Sequence, residues 1–246
     1  KERDMALVTL SLYQPQTLVA RCLGGVIRLL IKCNFHMYFL PSRQLKFRSA
    51  SLIAKLMTSD TGFGFLLGNP ESDARRVVIA RKVGCEIIID KVGLSLPARS
   101  SVSNEIAVML ALPDGLPSVL SLKQYDQHEN WCFYSCAKVD GNSPQQNDNE
   151  LVMRILEEWL ESAYKTALKD TTQLVHVRNY IEQHGIAEGE RLLNVCNDMH
   201  VSVGIFHGDF APWNIIKSGQ DKMTVIDWEH GSSNGPAAWD WIHYLL

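Results

Sequence analysis

The chain has 246 residues, 46% of them hydrophobic and 21% charged, with a formal net charge of -3. That balance excludes a disordered chain, and the lack of a basic excess gives no reason to expect a nucleic-acid partner. Six cysteines without a Cys-x-x-Cys pair (Cys22, Cys33, Cys85, Cys132, Cys136, Cys196) argue against a disulfide framework or structural zinc and for a reducing, cytoplasmic setting. The length suits one large domain or one core shared by two lobes.

Residues 1–60 read as a mostly helical N-terminal extension, with Pro15 near the start of the first helix and Pro41 ending its apolar run. The apolar stretch Leu18 to Leu40 is interrupted by Arg21, Arg28 and Lys32, whose separations of seven and four put them on one helical face. This spacing predicts an amphipathic helix packed on its own domain; a membrane-surface helix is the weaker alternative, and a membrane span is not expected. No signal-peptide pattern stands near Lys1, and Lys1 in place of Met is what missing upstream residues would leave.

From Gly62 the period changes to that of strands. Phe63 to Leu67, Arg76 to Ala80 and Glu86 to Lys91 are short β-prone runs, separated by turn signals at Gly68-Asn69-Pro70 and Lys82-Val83-Gly84. A helix over Ser101 to Leu112 follows, from the spacing of Val102, Ile106, Met109 and Leu110. Two further strands, Ser118 to Leu122 and Trp131 to Val139, flank a polar turn at Asp126 to Asn130. Cys132 and Cys136 on the last of these are expected to be plain packing. Asp140-Gly141-Asn142-Ser143-Pro144 then breaks the pattern, so the domains are drawn as 1–60, 61–141 and 142–246.

Beyond that boundary come helices over Glu150 to Lys169, Thr172 to His184 and Glu188 to Met199, then Val201 to Phe206 and a polar loop. The outline is α+β: a five-stranded antiparallel sheet with one helix, followed by a mainly helical lobe, as in a two-lobed kinase.

The loop reads His207-Gly208-Asp209-Phe210-Ala211-Pro212-Trp213-Asn214, and a short apolar strand later ends in Asp227-Trp228-Glu229. Phosphoryl transfer needs an oriented acceptor hydroxyl, clamped phosphates and a metal to neutralise charge. Asp209 would take the acceptor's proton or hold its hydroxyl in line. Asn214 and Asp227 would give Mg²⁺ a neutral and a charged oxygen ligand. The interval from Asp209 to Asn214 is that of the kinase catalytic loop, His-x-Asp-x-x-x-x-Asn, with His207 in a structural role.

His207-Gly208-Asp209, Asn214 five residues on, and Ile226-Asp227-Trp228 together resemble the aminoglycoside phosphotransferase and choline kinase family, whose fold is protein-kinase-like. The resemblance implies a kinase using ATP and Mg²⁺ on the hydroxyl of a small molecule such as a sugar, an aminoglycoside or an amino alcohol. It also implies that Asp240, in Pro236-Ala237-Ala238-Trp239-Asp240, supports the catalytic loop, and that the family's acceptor-binding helices would follow Leu246, the chain stopping within a helix. Extended into the first lobe, it implies a Lys for the α and β phosphates paired with a Glu of the next helix. Lys91 shares a strand face with Ile87 and Ile89, Glu105 lies on the following helix, and these two are the expected pair.

Lys82 is the competitor for the nucleotide, expected in a turn facing solvent. The segment Gly68 to Arg76 occupies the place of a phosphate loop without a Gly-x-Gly-x-x-Gly signature, and adenine is expected near Ser135 to Val139. Glu229 and His230 are weak candidates for the acceptor side. Trp228, Trp239 and Trp241 would either line that side or pack beneath the loops.

Three other functions compete. A metal-dependent phosphohydrolase would use His207, Asp209, Asp227, His230 and His243 as ligands, but would leave Asn214, Lys91 and Glu105 without roles. A kinase-like module that binds nucleotide without turnover is compatible with the same motifs. A protein kinase would carry Asp-Phe-Gly where this chain has Asp227-Trp228-Glu229.

Overall fold

Residues 2–13, 17–35, 38, 52–56, 62–68, 72–113, 116, 118–161, 163–197, 199–237 and 239–245 are described by the computed structural model of the chain. Pro15, Pro41 and residues 69–71 of the expected phosphate loop lie outside the described residues. Among those described, the chain is a mixed α/β protein dividing into two compact units: residues 1–103 with 121–138, and residues 104–120 with 139–246.

In the first unit, the β-branched runs build a five-stranded antiparallel sheet. Its strands are β1 (Phe63–Leu67), β2 (Arg76–Val83), β3 (Glu86–Gly93), β4 (Leu122–His128) and β5 (Trp131–Ala137), in the order β1-β2-β3-β5-β4. Antiparallel register sets Val78 and Tyr134 opposite Lys91, and Ile79 and Ser135 opposite Asp90. The two-residue alternation therefore sends Lys91 to one face and Asp90 to the other. On the Asp90 face, Ile79, Val92 and Phe133 form a core against Leu52, Ile53 and Leu56 of the short helix α3 (Leu52–Leu56). Asp90 is fully buried there, bidentate with Arg81 (Nη2 to Oδ1 2.9 Å) and accepting from Ser135 Oγ. That pairing is what makes a buried carboxylate tolerable, and it holds the Arg81 guanidinium above its ordinary pKa.

The helices α1 (Glu2–Leu12) and α2 (Leu18–Lys32) precede the sheet. Thr17 caps α2 by accepting from the Ala20 N–H at 3.2 Å. The first helix thus precedes Pro15 instead of starting at it.

The strand expected at Ser118 to Leu122 is instead a single bridge, Val119 to Val225, and the fourth strand runs from Leu122 to His128 through the predicted polar turn. The reason is position: β4 is the sheet edge, most of its side chains are exposed, and polar residues there cost nothing. Lys82 likewise belongs to β2, though its side chain is exposed as expected.

The helix after β3 is longer than its periodicity implied. It is α4 (Leu96–Ala111), capped by Ser95 Oγ, which accepts from the Ala98 N–H at 3.3 Å, and its residues from Asn104 on belong to the second unit.

In the second unit, α5 (Asn149–Glu161) buries Val152, Ile155, Leu156 and Trp159. The helix expected to continue to Lys169 ends at Glu161, because Tyr164–Ala167 is drawn into a strand, β6, on β7 (His200–Phe206). With β10 (Ser232–Pro236) these form a three-stranded sheet, β10-β7-β6, which sequence periodicity did not reveal. Helix α6 (Thr172–His184) is capped by Thr171 and closed by Gly185 in the left-handed conformation. Helix α7 (Ala187–Cys196), the hairpin β8 (Ile215–Ser218) with β9 (Lys222–Val225), and α8 (Trp239–Leu245) complete the unit.

All six cysteines are free, and burial pushes the Cys132 thiol up to about 11, so it behaves as an inert apolar group. Among the described residues no helix is long and apolar enough to cross a membrane.

Removing the Asp90 carboxylate leaves Arg81 without its main partner in a mostly buried position. Asp90→Ala is expected to cost about 3 kcal/mol in urea unfolding, seen as a lowered midpoint at unchanged slope.

Candidate functional site

β7 carries the chain through the core and releases it at His207. The next two backbone N–H groups would be buried without partners, and the Asp240 carboxylate, from the first turn of α8, takes both: His207 N–H to Oδ2 at 2.7 Å and Gly208 N–H to Oδ1 at 3.0 Å. Gly208 has φ +83°, and a Cβ there would lie 2.7 Å from the His230 carbonyl oxygen, so glycine alone fits.

The His207 ring is fully buried between two loops. Its Nε2 lies 2.9 Å from the Ile226 carbonyl oxygen, and its Nδ1 accepts from the Asp209 N–H at 3.2 Å. A carbonyl can only accept, so Nε2 carries the proton and the ring is the neutral Nε2–H tautomer. Burial lowers its pKa to about 4, against the opposing pull of the Ile226 carbonyl and the Asp227 and Asp209 charges. Edge contact with Trp228, ring centres 4.8 Å apart, fixes the plane.

Asp209 is half-exposed and thus presented to solvent by a loop in which His207, Phe210, Ala211 and Asn214 are buried. Asn214, at the end of the Pro212–Asn214 turn, donates from Nδ2 to both the Asp209 carbonyl oxygen and its Oδ2, each at 2.8 Å. With its amide nitrogen committed, Asn214 is left with Oδ1 to offer a cation. The Asn214 carbonyl oxygen accepts from the Ile226 N–H at 2.9 Å, which locks the second loop to the first.

Asp227 is in the left-handed region, φ +68° and ψ +55°, a strained conformation for a residue other than glycine. The peptide groups on both sides are pinned: Ile226 by Asn214 and His207, and the Trp228 N–H by Glu105 Oε1 at 3.1 Å. Trp228 is fully buried, its indole N–H on the Val225 carbonyl and its ring against Trp159. It is therefore packing beneath the loops, not a lining residue.

No protein-family model matches the sequence, and no curated protein matches it. Among solved structures, it is similar to a thermostable variant of the aminoglycoside phosphotransferase APH(4)-Ia in complex with ADP and hygromycin B: TM-score 0.52, 10% identity, covering 80% of this chain and 76% of that one. Another variant of that enzyme, with AMP-PNP and hygromycin B, gives 0.48 at 14% identity over 72% and 69% of the two chains. The spectinomycin phosphotransferase APH(9)-Ia with ADP and spectinomycin gives 0.42 at 11% over 71% and 65%. Of the three, the first alone exceeds 0.5. At a tenth identity, the likeness is one of fold.

Within the second unit, the structure brings together His207, Asp209, Asn214, Asp227 and Asp240, with Glu105 behind Asp227. Glu229 and His230 follow on the same turn, 3.8 Å apart, with Glu229 largely buried and His230 exposed. Lys91 belongs to the first unit, where it is buried on β3. Trp239 is exposed. Two features escaped the sequence analysis. The first is the Glu105 bond to the Trp228 N–H, a long-range contact with no local signal. The second is the contact of His243, considered above only as a hydrolase ligand, whose Nε2 lies 3.7 Å from Asp209 Oδ1; its spacing of three from Asp240 on one helix face was the available sign. Among the described residues no three His, Cys, Asp or Glu side chains gather as a metal cluster.

Asp240 is expected to be essential to the loop, since an Asn side chain would turn an N–H₂ toward one of the two N–H donors. Asp240→Asn should destabilise the second unit by about 2 kcal/mol, read by thermal or urea unfolding. Burial pushes the Asp240 carboxyl up to about 6, against the two N–H bonds that favour its ionised form. Its linkage therefore runs opposite to that of His207. The Asp240 contribution falls as pH rises from 3.8 to about 6; the His207 contribution is complete above 6.5 and falls as pH drops toward 4. In Asp240→Asn the His207 term is left alone, and stability should fall by about 1 kcal/mol per pH unit below 6.5. Nitrogen-15 NMR should find the His207 ring in the neutral Nε2–H form at pH 6.

Proposed function

We propose that the chain is a phosphotransferase that moves the γ-phosphate of ATP to a hydroxyl of a small molecule, with Mg²⁺ as cofactor. The observation that carries this is the Asp209–Asn214–Asp227 arrangement. Asn214 fixes the Asp209 carboxylate with one atom and keeps its oxygen for a cation, while Asp227 is held in a strained turn beside it. The fold likeness to a phosphotransferase crystallised with ADP and an aminoglycoside supports the same reading.

Asn214 Oδ1 and the Asp227 carboxylate are hard oxygen donors, the kind Mg²⁺ takes alongside phosphate oxygens and water. Bound there, the ion would neutralise charge on the transferring phosphoryl group. Asp209 would orient the acceptor hydroxyl and take its proton as the bond from its oxygen to the γ-phosphorus forms and the bond to the β-phosphate oxygen breaks, releasing ADP. Asn214 donates to Asp209 Oδ2, and Oδ1, 3.7 Å from His243 Nε2, would be the atom offered to the acceptor. His207 stays neutral and spends both nitrogens on geometry. Lys91, buried on β3, would reach the α and β phosphates and pair with Glu105. Asp240 would support the loop, and Glu229 with His230 would border the acceptor.

In this account residues 61–141 are a nucleotide-binding lobe, residues 142–246 a catalytic lobe, and the setting is cytoplasmic. A sugar, an aminoglycoside or an amino alcohol would be the acceptor. A hydrolase using His207 as a metal ligand is disfavoured, because that ring is buried and both nitrogens are bonded.

Asp209→Asn is expected to keep nucleotide affinity and lose roughly 10²–10⁴ in turnover, the usual worth of a positioned base. Asp227→Asn should lose turnover together with magnesium dependence. Steady-state kinetics with ATP and a panel of hydroxyl compounds, alongside calorimetric ADP binding, would read both. Full turnover in either variant would refute the assignment.

A further inference from the structure

Helix α2 presents an apolar face that the described residues do not cover. Leu18, Val19, Leu23, Val26 and Leu29 recur at spacings of three and four on one side and are each 55–78% exposed. Ile31 is its one buried residue, with Ala20, Gly24 and Ile27 half-buried on the opposite side. The helix thus packs on its own unit, as expected, but not through its broad apolar side. Its burial is on the narrow side, and the broad apolar face is outward.

Charge accompanies that face. Arg21, Arg28 and Lys32 form an exposed row along one flank of α2, and α2 has no acidic residue. The same bias extends along the sequence: residues 5–59 hold seven Lys or Arg and no Asp or Glu, in a chain of net charge -3. We propose that α2 is a peripheral membrane-docking helix, lying flat on an anionic lipid surface with Leu23, Val26 and Leu29 among the acyl chains and its basic row among the headgroups.

The dimensions and the charge both select that partner. Fifteen residues make a helix about 22 Å long, too short to cross a bilayer but sufficient to lie along one. Pairing with a second copy through the same face would bring two basic rows together with no acid on α2 to offset them. A nucleic acid would satisfy the cations but give the apolar stripe nothing to bury against.

The test is co-sedimentation of the full chain with vesicles of phosphatidylcholine alone and of phosphatidylcholine mixed with phosphatidylglycerol. Binding to the mixed vesicles should exceed that to the neutral ones by roughly tenfold or more, each cation near an anionic surface being worth about fivefold, and should weaken with salt. Leu23→Glu with Val26→Glu, at positions already more than half exposed, should abolish binding without changing the thermal melt. Arg21→Gln with Arg28→Gln should lower binding to the mixed vesicles roughly twenty-fivefold and leave neutral vesicles unaffected. Three results would overturn the proposal: no sedimentation with mixed vesicles; binding of duplex DNA that survives Leu23→Glu with Val26→Glu; or a dimer in light scattering that this same pair dissolves.

Discussion

The Asp240 carboxylate is the constraint on which the rest of the site depends. A chain leaving a buried strand must find partners for its backbone donors, and here one side chain on α8 satisfies two in succession. Holding those two N–H groups fixes where the His207 ring enters the core. The ring then bonds Ile226 on one side and Asp209 on the other, Asn214 clamps Asp209, and the Asn214 carbonyl returns to Ile226. The polar groups form a closed circuit, so each side chain's position is determined by its neighbours before any substrate arrives.

That circuit explains why a histidine is used where no proton needs to move. A neutral Nε2–H imidazole is both donor and acceptor, with its two nitrogens on opposite edges, and so can join a carbonyl on one loop to an N–H on the other. Burial secures the neutral form by lowering the pKa to about 4. Phe210 and Trp228 wall the ring in, with Trp159 packed on both of them. Glu105 completes the support from α4, fully buried and bonded to the Trp228 N–H immediately after the strained Asp227. Strain at Asp227 is thus held by peptide bonds pinned on both sides.

The sequence was most legible where residue type and spacing coincide with a physical requirement. The strand Trp131–Ala137 runs apolar because it lies in the sheet interior with five of its residues buried, and Phe63–Leu67 could be read from its β-prone residues alone. The Asp209 to Asn214 interval could be read because one turn of chain must return an amide to the carboxylate. The polar edge strand Leu122–His128 could not, since an edge needs no buried face, and Tyr164–Ala167 is a strand only because β7 is beside it. The Glu105 contact spans 123 residues and leaves no local trace. Helix α2 was legible as amphipathic, but which side would be buried depends on neighbours that a helical wheel does not contain.

A fold shared with a known phosphotransferase does not by itself carry chemistry, so the claim rests on the Asp209, Asn214 and Asp227 geometry. The most direct test is phosphorus-31 NMR of ATP and Mg²⁺ incubated with the full chain and a set of sugars, aminoglycosides and amino alcohols. The account predicts ADP together with a new phosphomonoester resonance for at least one acceptor. ADP with inorganic phosphate alone in every mixture, or unchanged ATP despite demonstrable nucleotide binding, would contradict it.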